Sequence, residues 1–250
     1  MKFQINRKET TRLKLIFLPI FFLVLFACAT VPVKTYEESV SEWKSYKDVA
    51  KWMDRYFYYD TKRLLDGLEM YSSGKLQIPR PPEETFELQA GVCHDAAFFA
   101  KETLNRINPA YQAEIVFMEF QKDILPCHFV CSFKENNKMY IMDYGTPTRS
   151  VAGVFGPFSS LKRYKEYYEM THRRKVISSI SFGWPRWVVT ASWSSVSIRS
   201  GAKNTSTIIA TVEKGTKLTV VGFNKEWLNV QLENGKEGWV SSDFVKYSQK

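Results

Sequence analysis

Apolar residues recur at three- and four-residue spacing from Tyr36 to about Leu68, with Trp43, Tyr46, Val49, Ala50, Met53 and Phe57 along one stripe. That period predicts amphipathic helix. "SSGKLQIPRPPEE" (72–84) follows, and its three prolines predict a loop. Helical spacing returns from about Val92 to Arg106, where Ala96, Ala97, Phe99, Ala100 and Leu104 share a face. "AEIVFMEF" (113–120) reads as a strand, and "HFVCSF" (128–133) and "MYIMDY" (139–144) as a hairpin around "KENNK". "SSLKRYKEYYEM" (159–170) predicts an amphipathic helix, and "KVISSISFGWPRWVV" (175–189) an extended stretch.

The pattern changes near Thr190. Short apolar runs then alternate with turn signals, clearest in Leu218 and Val220 and in Leu228, Val230 and Leu232. "ENGK" predicts a tight hairpin, because Asn-Gly accepts positive φ at both central positions. Such spacing argues for a small barrel or sandwich of about 60 residues. The whole chain is therefore expected to be α+β, with a first domain over residues 36–189 and an all-β domain over 190–250. Its 250 residues, 44% hydrophobic and 15% aromatic, suffice for one medium and one small domain.

The net charge is +9, but Lys2, Arg7, Lys8, Arg12 and Lys14 stand against only Glu9 in residues 1–27, which leaves five of those net charges on the rest of the chain. No dense Lys/Arg cluster with interleaved aromatics appears, which argues against a nucleic-acid partner. A mildly basic surface suits an anionic envelope. The cationic stretch precedes "LIFLPIFFLVLFA" (15–27), thirteen apolar residues, short for a membrane span of about 20 and suited to an export signal. Its end, "LFAC", resembles the bacterial lipobox. That resemblance implies cleavage before Cys28, lipidation of its thiol, a tether over 28–35, and an exported protein held to the membrane of the cell envelope by its lipid.

With Cys28 lipidated, Cys93, Cys127 and Cys131 remain, an odd number of thiols. Cys93 admits four readings: an apolar filler, half of a disulfide, a zinc ligand or a nucleophile. It opens the first turn of its helix, where unpaired N–H groups and the helix dipole favour a thiolate. A nucleophile needs a base, and the base an orienting group. Taking Asn136-Asn137 as the hairpin turn pairs Glu135 with Lys138 and Val130 with Asp143. His128 and Asp143 then share a face as diagonal neighbours, their Cβ atoms about 7 Å apart. A one-residue slip would place them on opposite faces. The same alternation turns Cys127, Phe129, Cys131 and Phe133 away from His128, against a joint zinc site. An extended Cys127–Cys131 pair would lie about 13 Å apart, beyond disulfide reach, so both are expected to be buried thiols. No metal and no cofactor is expected.

"GVCHDAAFFAKETL", "HFVCSF" and "MYIMDYG", in that order, resemble the transglutaminase-like superfamily, the papain-related fold of bacterial cysteine peptidases. "RPPEETFELQAGVC" resembles its lead-in, so the likeness covers roughly residues 75–150. It implies a helical N-terminal part packed on an antiparallel sheet, with Cys93 as nucleophile, His128 as general base and acid, and Asp143 orienting the imidazole. It also implies acyl transfer through a thioester. Val92-Cys93-His94 stands where animal transglutaminases carry Gln-Cys-Trp, which speaks against protein cross-linking. Gln89 is a candidate for the side-chain half of an oxyanion hole; Asp95 is assigned a structural role, His94 a solvated or locally bonded one, and His172 a place on the surface.

Residues 196–245, with Ile198-Arg199-Ser200-Gly201, Lys214-Gly215-Thr216, Trp227 and Gly238-Trp239-Val240, resemble a bacterial SH3-like (SH3b) domain. The resemblance implies a small barrel engaging peptidoglycan peptides, with Trp227 as a ligand-binding residue and Trp239 in the core. The resulting expectation is a lipid-anchored thiol amidase or peptidase acting on peptide amides of protein or of the peptidoglycan stem peptide. Its alternatives are a binding lipoprotein with a vestigial triad and an amine-acceptor transamidase.

Overall fold

The computed structural model describes residues 34–121, 127–172 and 175–247. The expected signal segment, Cys28 and the tether up to residue 33 lie outside the described residues.

The periodic stretch after residue 35 is three helices rather than one: α1 (Tyr36–Glu42), α2 (Tyr46–Tyr56) and α3 (Thr61–Ser72). Local acceptors restart the helix each time. Thr35 and Glu38 form a capping box on α1, Asp48 accepts from the amides of Lys44 and Ser45 at 2.9 and 3.0 Å, and Asp60 accepts from the Arg63 amide at 2.9 Å. The apolar period survives these breaks because each piece still buries its own stripe. Between α2 and α3, strand β1 (Tyr58–Tyr59) pairs in parallel with β2 (Ala90–Gly91). A further helix, α4 (Pro82–Leu88), occupies the end of the proline-rich stretch. Pro82 begins it, in the first turn, where a missing N–H breaks no intrahelical bond.

Helix α5 (Cys93–Ile107) is followed by β3 (Glu114–Phe120), β4 (Cys127–Glu135), β5 (Lys138–Asp143), β6 (Gly153–Phe158), α6 (Leu161–Thr171) and β7 (Ile177–Phe182). The five strands form an antiparallel sheet in the order β6-β5-β4-β3-β7. Glu135 pairs with Lys138 across a two-residue turn, in which Asn136 and Asn137 adopt φ of 52° and 58°. The register is the one the sequence predicts. On one side of the sheet Val49, Trp52, Met53, Phe86, Phe99 and Leu104 meet Cys131, Phe133 and Met142. On the other, Val116, Met118, Val130 and Ile141 meet Tyr164 and Tyr168 of α6. Both faces are covered, so β4 is buried almost throughout.

The expected extended stretch 175–189 divides between two sheets. β7 joins the first, and β8 (Val188–Ala191) joins a seven-stranded antiparallel sheet with β9 (Val196–Arg199), β10 (Ile208–Val212), β11 (Lys217–Asn224), β12 (Trp227–Gln231), β13 (Glu237–Ser241) and β14 (Val245–Tyr247). Its core is Val189, Val196, Ile198, Leu218, Val220, Leu228, Val230 and Val240. The "ENGK" turn is longer than predicted. Gln231 pairs with Glu237, Asn234 Oδ1 accepts from the Lys236 amide at 3.0 Å, and of these loop residues Gly235 takes the positive φ, 81°. The Asn234 side chain thus closes an Asx turn in place of a two-residue hairpin. Leu76 and Ile78, from the loop before α4, pack against this second core. The described residues of the first domain and of the β region accordingly belong to one compact unit.

Two contacts fix the tip of α5. The Asp95 side chain is fully buried. It receives Arg63 Nε at 2.6 Å, Arg63 Nη2 at 2.9 Å, the Arg80 amide at 2.8 Å and the Val92 amide at 2.9 Å. Burial opposes its charge, but the His94 ring, the Arg63 guanidinium and the Arg80 amide together hold its carboxyl below the usual range. Burial also lowers the His94 ring below its ordinary value, whereas the Arg63 guanidinium is a permanent counter-charge. The second contact is at Gly145, just past β5. A Cβ there would lie 2.4 Å from Cys93 Cα and 3.0 Å from Cys93 Cβ, so the helix tip reaches the sheet only against glycine.

Two outcomes follow. Arg63→Ala leaves the Asp95 charge buried without its partner and should cost about 3–5 kcal/mol in urea unfolding. Gly145→Ala should cost about 1–3 kcal/mol through overpacking, and, by displacing Cys93 backbone, should slow alkylation of that thiol more than Arg63→Lys does.

Candidate active site

Cys93 opens α5, where the first N–H groups of a helix have no acceptor within it. Asp95 takes the preceding Val92 amide and so pins the turn on which the thiol is mounted. The thiol is free and half-buried.

His128 and Asp143 come together as diagonal neighbours of the β4–β5 ladder. His128 Nε2 lies 2.9 Å from Asp143 Oδ2, and the His128 residue is 8% exposed against 2% for Asp143. With Nε2 engaged, Nδ1 is the nitrogen left for the thiol, and the Cys93 side chain is within hydrogen-bonding reach of the ring. Burial works against a charged imidazole here. The Asp143 carboxylate and its hydrogen bond outweigh that penalty, assisted by Cys93, and raise His128 to about 10. The walls around the pair are apolar and aromatic. Tyr168 stands 6.1 Å from the His128 ring, and burial followed by the Asp143 charge pushes the Tyr164 hydroxyl well up. Among the described residues, Asp143 Oδ1 and Tyr164 Oη have no hydrogen-bond partner. A carboxylate in such surroundings acts strongly on the one ring it touches.

Cys93 and His128 line a cleft of about 1210 Å³. The cleft also holds residues that sequence reasoning placed elsewhere. Cys131 is a core thiol, fully buried as expected. Cys127 is a correction: it lines the cleft, half-buried, and packs with Cys93 on the cluster of Ala97, Ile115, Phe117 and Phe129. Strand alternation does put Cys127 on the Phe129 side, but that side is where the tip of α5 lies. Burial and then the nearby Cys93 raise its thiol to about 12. His172 is not a plain surface residue either. Its ring stacks on Tyr168 at 3.8 Å and borders the cleft. His94, expected to be solvated or locally bonded, is largely buried, with Nε2 3.5 Å from Asp95 Oδ1. Gln89 caps α4 with φ 52° and does not line the cleft.

Tyr59 was missed. Pairing of β1 with β2 sets it opposite Gly91, two residues before Cys93, and it lines the cleft. Burial raises its hydroxyl, and the charges of Cys93 and Cys127 raise it further. A two-residue strand carries no periodic signal from which this placement could be read. In the β region, Trp227 is only 5% exposed. Its strand lies between β11 and β13, which leaves little surface for a ligand and corrects the expected binding role. Trp239 is half-buried, whereas Trp193 and Phe244 are 61% and 43% exposed. Among the described residues, no three His, Cys, Asp or Glu side chains converge as a metal site.

Comparison with known proteins places these elements. The family described as "Transglutaminase-like domain" matches residues 29–179, and that described as "Bacterial SH3 domain" matches residues 194–246. A Bacillus subtilis (strain 168) protein named "Putative N-acetylmuramoyl-L-alanine amidase YrvJ" is 36% identical over 52 residues, which is 21% of this chain. The match spans only 10% of that protein's length. Among solved structures, NlpC2 from Trichomonas vaginalis is 13% identical, with 55% of this chain and 49% of that one covered and a TM-score of 0.28. The C-terminal SH3 domain of myosin IB from Entamoeba histolytica is 21% identical over 26% of this chain and 98% of that one, with a TM-score of 0.20. Neither structural likeness is close enough to bear on the chemistry. The family match alone covers more than half of the sequence and holds the helix of Cys93 and the strands of His128 and Asp143: this chain belongs to the transglutaminase-like domain family.

Proposed function

We propose that this protein is a thiol-dependent amidase or peptidase, with Cys93 as nucleophile, His128 as general base and acid, and Asp143 as the group that orients and charges the imidazole. The observation that carries the reading is the 2.9 Å contact of Asp143 with His128 Nε2, which turns the other ring nitrogen toward a thiol at a helix tip in the same cleft. His128 holds the proton drawn from Cys93, and sulfur attacks the amide carbonyl carbon as the thiolate of that pair. The developing oxyanion faces the N–H groups at the start of α5. The C–N bond then breaks, His128 returns the proton to the departing amine, and a thioester remains on Cys93. Water attacks that thioester with His128 as base, releasing a carboxylic acid and restoring the thiol.

The substrate is a peptide amide of protein or of the peptidoglycan stem peptide. The similarity to a protein whose name is that of a peptidoglycan amidase supports this reading, as does the bacterial SH3 domain. In the same proposal Cys28 carries lipid, the body is held at the cell envelope, and the SH3 domain keeps it near the wall. Incubating the full chain with muropeptides and with peptide amides, then trapping the acyl group on Cys93 for mass spectrometry, tests it. No acyl adduct and no amide cleavage with either substrate class would refute the hydrolase and favour a binding protein. New amide products on addition of a free amine would favour a transamidase.

Asp143→Asn should lower kcat by about 10²–10⁴-fold while the thiol remains alkylatable by iodoacetamide. The pH dependence has a definite sign. His128 is raised above its ordinary value of about 6.5, so the stability that its protonation contributes is complete below that pH and fades as pH rises through about 10. Turnover, which needs the protonated ring at the leaving amine, should fall over the same alkaline range. In Asp143→Asn that limb should move to lower pH, as read from kcat profiles and from melting temperatures across the same buffers.

A further inference from the structure

The linker "GWPRW" (183–187) and the last strand of the β region take no part in the chemistry above, yet both border the cleft that holds Cys93. Trp184 and Trp187 lie 5.3 and 6.1 Å from the ring of Phe129, one residue from His128. They pack on the same Ala97, Ile115, Phe117 and Phe129 cluster as Cys93 and Cys127. Both indoles also meet Phe223 of β11, at 5.1 and 5.6 Å. The Val220 amide donates to the Trp187 carbonyl at 2.8 Å, which ties the linker backbone to the β region. At a second point, the ring of Tyr247 of β14 lies tilted against that of Tyr71 of α3, centroids 5.2 Å apart, and its amide donates to the Gly74 carbonyl at 2.6 Å. Tyr247 lines the cleft together with Cys127 and Glu119.

We propose that the SH3 region and its linker build the specificity wall of the catalytic cleft, with Trp187 and Tyr247 selecting peptide amides whose acyl residue carries a large apolar or aromatic side chain. This rests on the function proposed above and adds to it the substrate class. The physical reason is the chemistry of the surface. The indoles pack on the cluster that Cys93 also joins, and the same cleft is lined by Leu64, Leu68 and Leu76 from α3 and the following loop, with Glu119, Lys175 and Arg186 also on its walls. A large apolar group gains dehydration and ring contact on the aromatic part, which a glycine does not. The wall is also anchored at both ends, by Phe223 and by Tyr71, so it is presented without ordering cost on binding. On this view the β region does more than hold the enzyme near its substrate: it decides which amides reach the sulfur.

The test uses the full chain in two arms. In the first, Cys93→Ala is titrated with N-acetyl-phenylalaninamide and N-acetylglycinamide, read by tryptophan fluorescence and by calorimetry. The phenylalanine compound should bind at least tenfold tighter, and adding Trp187→Leu or Tyr247→Ala should reduce that ratio to below threefold. Equal binding of the two amides to Cys93→Ala overturns the proposal whatever the catalytic outcome. In the second arm, the wild-type thiol is labelled with the chloromethyl ketones of N-acetyl-phenylalanine and N-acetylglycine. A tenfold preference for the first, lost in Trp187→Leu with iodoacetamide labelling of Cys93 unchanged within twofold, supports the wall. Unchanged selectivity in both variants overturns it. Slow iodoacetamide labelling of the wild type, together with tenfold selective binding in the first arm, would refute the nucleophile while leaving the wall in place. Circular dichroism and melting temperature of each variant establish that it is folded, and Trp187→Leu keeps an apolar side chain against Phe223.

Discussion

The carboxylate of Asp95 lies out of contact with solvent at the first turn of α5, and a charge so placed is tolerated only when its lone pairs are met. Four donors meet them: the Arg63 fork from α3, the Arg80 amide from the loop before α4, and the Val92 amide at the helix start. Satisfying one buried anion therefore draws two remote segments to the place where Cys93 is mounted. The close approach at Gly145 completes the placement from the sheet side, because the helix tip occupies the space a side chain would fill. The position of the thiol is thus set by a polar constraint and a steric one, rather than by hydrophobic packing alone.

Asp143 is the second buried carboxylate of the region, and its contrast with Asp95 is instructive. Asp95 is matched by a guanidinium that never gives up its proton, so its role is to hold. Asp143 is matched by an imidazole, whose proton can move. The surroundings of Asp143 are aromatic, with Tyr164 and Tyr168 on the same face of the sheet, and little competes for its charge. The same electrostatic device, a carboxylate in a medium of low polarity, serves as a clamp in one case and as a source of basicity in the other.

The β region is continuous with the cleft rather than appended to it. Leu76 and Ile78 of the first domain pack into the second core, Tyr247 bonds to Gly74, and Phe223 backs the indoles that face the thiol side of the sheet. A substitution in that region therefore reaches the walls around Cys93 through packed rings, and the two family matches, separate along the chain, meet in one compact unit.

Much of this was legible in the residues themselves. Asn136-Asn137 tolerates positive φ at both positions, and that alone fixes the β4–β5 register and sets His128 diagonal to Asp143. Apolar spacing located α5 and put Cys93 at its start, and the change of period near Thr190 announced the β region. These are local properties: a turn's dihedrals and a period of 3.6 or 2 are written in a few consecutive residues. Local spacing also misled where a capping side chain interrupts a helix without disturbing its stripe, as at Asp48, and where a proline starts a helix, as at Pro82. What no window of sequence contains is which ends of these elements meet. That Cys127 and Tyr59 share the cleft with Cys93, that Trp227 is interior, and that the linker indoles stand beside the nucleophile were decided by long-range packing, because a side chain's surroundings depend on segments a hundred residues away that only the folded core brings into contact.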